Sequence, residues 1–196
     1  ARPSLASLKP DGATAKVVAP ILKSAVGDDS LLSAFIGELE DMGFRVASID
    51  SILAGLMARQ GQYGAHAPDA QARSDLERGI EVARVMGKMD IGQAVVVQQS
   101  MVLGVEAIEG TDALIRRCGE SKRDGPGGVL VKIKKPNQDR RADLPTVGAE
   151  TVMAAISACL RGIAVEAGGT LVMDEAEMIR KADDAGLFLI GISLSD

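Results

Sequence analysis

Phosphoryl chemistry asks two things of side chains: cations to neutralise phosphate oxygens, and carboxylates to hold a divalent metal or ready a water. The stretch from Val129 to Gly148 carries both. An apolar run, Val129-Leu-Val-Lys-Ile133, reads as a buried strand that delivers Lys132, Lys134 and Lys135 to Pro136, where regular structure ends. Gln138, Asp139, Arg140, Arg141 and Asp143 then fall within six residues, closed by Leu144-Pro145. Packing such a loop is costly unless its charges bind something. The alternative is a solvated loop of mutually screened ion pairs.

A second charged group, Glu106-Ala-Ile-Glu109-Gly-Thr-Asp112, crosses from the end of a strand to the start of a helix. Acids around a Gly-Thr turn can converge on a metal, and the helix N-terminus beyond them can accept a phosphate. N-capping is the better fit for Thr111 and Asp112. For Glu106 and Glu109 spacing does not decide between a ligand role and pairing with nearby arginines.

Other chemistries find little support. Lys and Arg number 22 against 27 Asp and Glu, a net charge of −5, so the chain is not built to coat nucleic acid. Yet Arg116, Arg117, Lys122, Arg123, Lys132, Lys134, Lys135, Arg140 and Arg141 crowd one region of sequence, which suggests one particular anionic ligand. The single histidine, His66, sits beside Pro68 in a polar stretch and reads as loop surface, so neither a zinc site nor a Ser-His-Asp triad is indicated. Cys118 and Cys159 lack CxxC spacing and read as reduced, small apolar residues. No P-loop or GxGxxG fingerprint is present. The opening does not read as a signal peptide, and the most apolar segment, Met153 to Val165, is short and broken by Arg161.

The elements that position these groups follow from composition and periodicity. A chain that is 46% hydrophobic but only 2% aromatic, without tryptophan, suits an α/β fold packed with aliphatic side chains, in one or two domains. Ala1 to Asp11 reads as a connector and Thr14 to Ala25 as a helix. A second helix spans Leu31 to Met42, with Asp28 as its N-cap. Phe44 to Ile49 is predicted to be a strand, Asp50 to Ala58 a short helix, and Gln60 to Pro68 a linker. A helix is predicted over Asp69–Met86. Strands Ala94–Val97 and Met101–Ala107 should form a hairpin turning at Gln99-Ser100, followed by a helix over Asp112–Cys118. After the charged loop come a helix over Ala149–Leu160 and strands at Ile163–Val165 and Thr170–Met173, joined by a Gly168-Gly169 turn. Asp174 should cap a helix to Ala185, with Glu177 at capping-box spacing, and Leu187–Ile192 is the last strand. Residues 94–133 and 163–192 thus share a strand-turn-strand-helix-strand order, with the charged loop between the two units.

Several of these segments together resemble a known family. Gln93-Ala-Val-Val-Val97, Val105-Glu-Ala-Ile-Glu-Gly-Thr-Asp112, Val131-Lys132 to Lys135-Pro136, and Gln138-Asp139-x-Arg141-x-Asp143-Leu-Pro145 are similar to the UDP-2,3-diacylglucosamine pyrophosphatases of the LpxI type. Arg2-Pro3 and Gly27-Asp-Asp-Ser-Leu-Leu32 fit the same pattern. The resemblance implies a cytoplasmic enzyme, peripheral to the inner membrane, of lipid A biosynthesis in Gram-negative bacteria. It implies hydrolysis of UDP-2,3-diacylglucosamine to UMP and 2,3-diacylglucosamine 1-phosphate (lipid X), with Mg²⁺ or Mn²⁺, in a two-domain protein that holds lipid between its domains. The expected fold is α/β (α+β): residues 1–66 as the remainder of a Rossmann-like N-terminal layer plus linker, and residues 67–196 as a mixed-sheet catalytic domain of hairpin-helix-strand units. The family's glycine-rich opening is missing, which implies an N-terminally incomplete chain. Ala142 stands where an aromatic is common, and Ser100 where a turn glycine is common.

On this reading Asp139 is the catalytic residue, either binding metal or orienting and deprotonating water. Asp143, Glu106 and Asp112 would complete a metal site with it. Lys132, Lys135, Gln138, Arg141, Thr111 and Glu109 would bind substrate. Two other readings stay open: a non-catalytic module that binds a phosphoglycolipid or nucleotide sugar, and a structural α/β domain. A homodimer is likewise left open.

Overall fold

The computed structural model describes residues 28–194 apart from Asn137 and Ala142, with residues 28–31 described by backbone alone. The expected connector at Ala1–Asp11 and helix at Thr14–Ala25 lie outside the described residues.

The apolar runs of the C-terminal two-thirds become strands of one mixed sheet. In chain order these are β1 (Gly61–Tyr63), β2 (Ala94–Gln98), β3 (Met101–Val105), β4 (Val129–Lys132), β6 (Gly162–Glu166) and β8 (Phe188–Ile192), arranged β1-β8-β6-β4-β2-β3. Strands β4, β6 and β8 are parallel, while β1, β2 and β3 each run antiparallel to their neighbours. Continuous valine runs suit a sheet covered on both faces. Alternation sends Val95, Val97, Val129 and Val131 to one face and Ala94, Val96 and Leu130 to the other.

Helix α3 (Ala70–Lys88) covers the first face, burying Ala72, Leu76, Ala83 and Met86 at helical spacing. Its N-cap is Asp69, whose carboxylate accepts from the Ala72 amide at 2.8 Å. Helices α4 (Thr111–Glu120), α5 (Ala149–Ser157) and α6 (Glu175–Asp184) cover the second face. A separate two-stranded parallel sheet pairs β5 (Thr146–Val147) with β7 (Leu171–Val172). Ahead of the large sheet stand α1 (Asp28–Asp41), α2 (Ile49–Ile52) and a 3₁₀ turn over Ala54–Leu56.

The predicted hairpin forms as expected. Gln99 and Ser100 both take positive φ, 54° and 61°, the left-handed pair that a two-residue turn of primed type requires. Asp75, buried on α3, accepts from both turn amides, at 3.2 Å and 2.6 Å, and so supports Ser100 at positive φ.

Four expectations need correction. Phe44–Ile49 is not a strand: among the described residues no partner strand reaches it, Phe44 stays exposed, and the Ile49 amide instead bonds the Arg140 carbonyl at 3.2 Å. A Rossmann-like layer therefore has no strand among residues 28–60. The polar linker contributes β1, which pairs with β8 and buries Tyr63, because its residues complete an otherwise open sheet edge. The strands at 163 and 171 do not pair with each other; β6 enters the large sheet while β7 joins β5, so the second unit lacks the hairpin of the first. Finally, Asp174 adopts φ 51° and makes no capping bond, and Glu177 pairs with Lys181 at 2.9 Å rather than closing a capping box. The side chain of Asp28, expected as a cap, lies outside what is described. Cys118 is buried as expected, whereas Cys159 is exposed; both are free.

Candidate functional site

Strand register brings two distant charged groups to one end of the sheet. Ala94 pairs with Lys132 on β4, and the Ala94 carbonyl accepts from the Glu106 amide at 2.8 Å. Lys132 and Glu106 therefore flank the same residue of β2, at the carboxyl end of parallel β4, β6 and β8, where ligands of α/β sheets commonly bind. A side chain at Gly92 would meet the Glu106 carbonyl at 2.2 Å, so glycine there permits the close approach of this chain to Glu106.

Glu106 is buried and fully engaged: Thr111 Oγ1 donates to it at 2.6 Å and the Gln93 amide at 3.1 Å. This overturns the expectation that Thr111 or Asp112 caps α4. The N-cap is Gly110, at φ 81°, with no side-chain capping bond. The first turn of α4 is left facing a cavity of about 300 Å³ that Gly110, Thr111 and Asp112 share with Glu109, Lys132, Thr146, Glu150 and Thr151. Two helix N-termini, those of α4 and α5, thus meet over one buried lysine. Lys132 donates to the Thr146 carbonyl at 2.9 Å. Burial pushes its ammonium below the ordinary value, against the opposing pull of Glu106, Asp112 and Asp143. The helix N-termini and the desolvated cation offer an anion positive charge, which the carboxylates of Glu109, Asp112 and Glu150 in the same lining oppose. A larger groove of about 540 Å³ between α4 and α5 adjoins it through Asp112 and Glu150.

The charged loop is a separate cluster. Arg141 grips Asp139 from the side, with Nε 2.9 Å from Oδ1 and Nη2 2.7 Å from Oδ2, and the Arg141 amide adds a third donor at 3.0 Å. These bonds hold the Asp139 carboxyl below the usual carboxylate range, and Asp139, with Glu40 next, pushes Arg141 up in turn. Glu40, on α1, takes Nη1 of Arg141 at 2.7 Å. Asp143 links the two clusters. Its carboxylate accepts from Gln138 at 3.2 Å, its amide bonds the Asp139 carbonyl, and its charge reaches Lys132.

The remaining cations diverge rather than forming the single basic region expected from sequence. Lys134 pairs with Glu166 at 3.5 Å, Lys135 with Asp90 at 2.5 Å, and Arg140 with Asp50 at 2.7 Å. Arg117 pairs with Glu109 at 2.8 Å; a backbone hydrogen bond first, and Arg117 next, keep Glu109 below its ordinary pKa. The split follows from their places in the fold: Lys132 ends β4, Lys134 and Lys135 lie beyond it, Arg140 faces α2 and Arg117 stands on α4. Of the expected substrate ligands, Lys132, Thr111 and Glu109 share the cavity with Asp112. Arg141 lies with Asp139, while Gln138 and Lys135 are buried together, Gln138 Oε1 accepting from the Lys135 amide at 3.1 Å.

The expected metal ligands are not assembled. Among the described residues no three of His, Cys, Asp and Glu gather where they could hold a metal ion. Asp139 and Asp143 lie in the loop cluster and Glu106 and Asp112 at the sheet end, and three of the four have hydrogen-bond donors of their own. As arranged, these residues do not fit a metal. Sequence reasoning also missed Glu40 and Asp90, since nothing in local spacing announces a partner that tertiary packing supplies.

Comparison with known proteins covers nearly the whole chain. A family model described as the LpxI N-terminal domain matches residues 1–56, and one described as the LpxI C-terminal domain matches residues 59–190. The UDP-2,3-diacylglucosamine pyrophosphatase LpxI of Caulobacter vibrioides is 39% identical over 198 aligned positions, covering 97% of this chain and 71% of that protein.

Proposed function

This chain belongs to the LpxI family, and from that premise we propose that it hydrolyses the diphosphate of UDP-2,3-diacylglucosamine to UMP and 2,3-diacylglucosamine 1-phosphate. The observation that carries the reading is the identity with the Caulobacter vibrioides enzyme over nearly the full chain. The geometry is compatible with the chemistry. Lys132 and the N-termini of α4 and α5 offer positive charge to phosphate oxygens, and Arg141 offers a planar fork that suits phosphate as well as carboxylate. Asp139, held ionised by Arg141, is a weak proton acceptor, so its assigned work is to orient the attacking water rather than to deprotonate it in advance.

Water adds to one phosphorus and releases its proton to solvent, the bridging P–O bond breaks, and the departing phosphate carries the electron pair. Dependence on Mg²⁺ or Mn²⁺ belongs to the proposal through the resemblance alone. No step is routed through a metal, because the four acids are not gathered around one. Chelation followed by graded return of each cation measures that dependence directly. The chemistry is assigned to the portion from residue 67 onward, in a cytoplasmic protein peripheral to the inner membrane, acting in lipid A biosynthesis. No helix among the described residues is long and apolar enough to cross a membrane, which a peripheral location accommodates.

The experiment is turnover in ¹⁸O-labelled water. Label in UMP or in the sugar 1-phosphate demonstrates hydrolysis and identifies the attacked phosphorus. Tight binding of the substrate with no labelled product, with Mg²⁺ and Mn²⁺ both supplied, would instead establish a binding module.

A further inference from the structure

Both oxygens of Asp139 are occupied by Arg141, a group that the proposed reaction also needs on the substrate. Guanidinium has five N–H donors on distinct edges. Asp139 takes the Nε–Nη2 edge, whereas Glu40, 101 residues away in the chain, takes Nη1 at 2.7 Å. Glu40 stands on α1, so the arginine bridges the N-terminal helices and the charged loop. The neighbouring residue is bound to the same helices. Arg140 pairs with Asp50 at 2.7 Å, and its carbonyl accepts from the Ile49 amide at 3.2 Å. The backbone at 140–141 is therefore anchored on α2, and what is left to move is the Arg141 side chain.

We propose that Glu40 is a positioning residue for the hydrolysis. It retains Arg141 by Nη1 while the Nε–Nη2 edge passes from Asp139 to a substrate phosphate oxygen, which frees the Asp139 carboxylate for the attacking water. The inference rests on the diphosphatase reading given above. Phosphate competes well for this edge because it accepts the same bidentate, charge-assisted bonds as a carboxylate. An arginine released from every partner would spread over many rotamers, at a cost in entropy when it is recaptured. Held at one nitrogen by Glu40, it has only to pivot.

The test is steady-state UMP release by the full chain, comparing wild type with Glu40→Gln, Arg141→Lys, the double variant and Asp139→Asn. Glu40 is a half-exposed helical residue, and glutamine preserves its shape, so folding is not at stake. Misplacing a reacting group by about 1 Å can cost up to ~100-fold, and for Glu40→Gln we expect kcat to fall about 10-fold with KM within about 2-fold. In the Arg141→Lys background the same substitution should cost nothing further, because Glu40 acts only through the guanidinium. An unchanged kcat in Glu40→Gln, or losses that multiply in the double variant, would overturn the proposal. Asp139→Asn separates the two failures. If it is inactive while Glu40→Gln is fully active, only the role of Glu40 is lost; if it is active, the site assignment itself is wrong.

Discussion

Replacing Lys132 with methionine should separate activity from stability. The side chain is 93% removed from solvent, at 7% relative exposure, and its ammonium faces a cavity framed by two helix N-termini. Removing one preorganised donor from a site of developing phosphate charge costs roughly 3–4 kcal/mol in the transition state, so kcat/KM should fall about 100- to 1,000-fold. Stability should respond differently. Desolvation outweighs the attraction of Glu106, Asp112 and Asp143, so the protonated amine is a net burden on the fold, and methionine of similar length relieves it. Against that gain stands the hydrogen bond to the Thr146 carbonyl, worth about 1 kcal/mol. The two offset, and the variant should unfold within about 1 kcal/mol of wild type, or about 2–4 °C in Tm. The sign with pH follows from the depressed pKa. The burden is fully present below the folded-state value and is relieved as pH rises from there towards the ordinary 10.5, so wild type should gain on the variant in alkaline buffer. UMP release and thermal unfolding are the assays. Loss of several kcal/mol of stability would mark Lys132 as a structural counter-ion, and undiminished kcat/KM would move the phosphates elsewhere.

Two further outcomes concern neighbouring groups. Because the folded-state pKa of Asp139 is lowered, its stabilising contribution is complete above the unfolded value and is lost as pH falls through the folded one. Urea unfolding should therefore show wild type more stable than Asp139→Asn at neutral pH, with the gap closing in acid; a gap independent of pH would contradict the ion pair with Arg141. Asp75→Ala leaves the amides of Gln99 and Ser100 without their acceptor and should cost about 1–3 kcal/mol by chemical denaturation, with kcat preserved in the folded fraction. A variant as stable as wild type would show that water serves those amides equally well.

Periodicity and side-chain type made much of this molecule legible in advance. The apolar run at 129–133 announced a buried strand, the apolar spacing over Asp69–Met86 announced α3, and the Gln99-Ser100 turn was placed correctly between two apolar runs, although Asp75 on α3 is what holds those two residues at positive φ. The family was legible too, through motifs whose residues are contiguous. What sequence alone did not determine is pairing at a distance. Whether β7 joins β6 or β5, and whether Gly61–Tyr63 is linker or sheet edge, depends on which hydrogen-bonding edges the rest of the fold leaves open. The site divides along the same line. Asp139, Lys132 and Arg141 could be nominated by type, but their partners could not. Strand register set Glu106 beside Lys132 across Ala94, and helix packing set Glu40 on Arg141. An ion pair is a property of two places in space, and only the folded chain decides which charges share one.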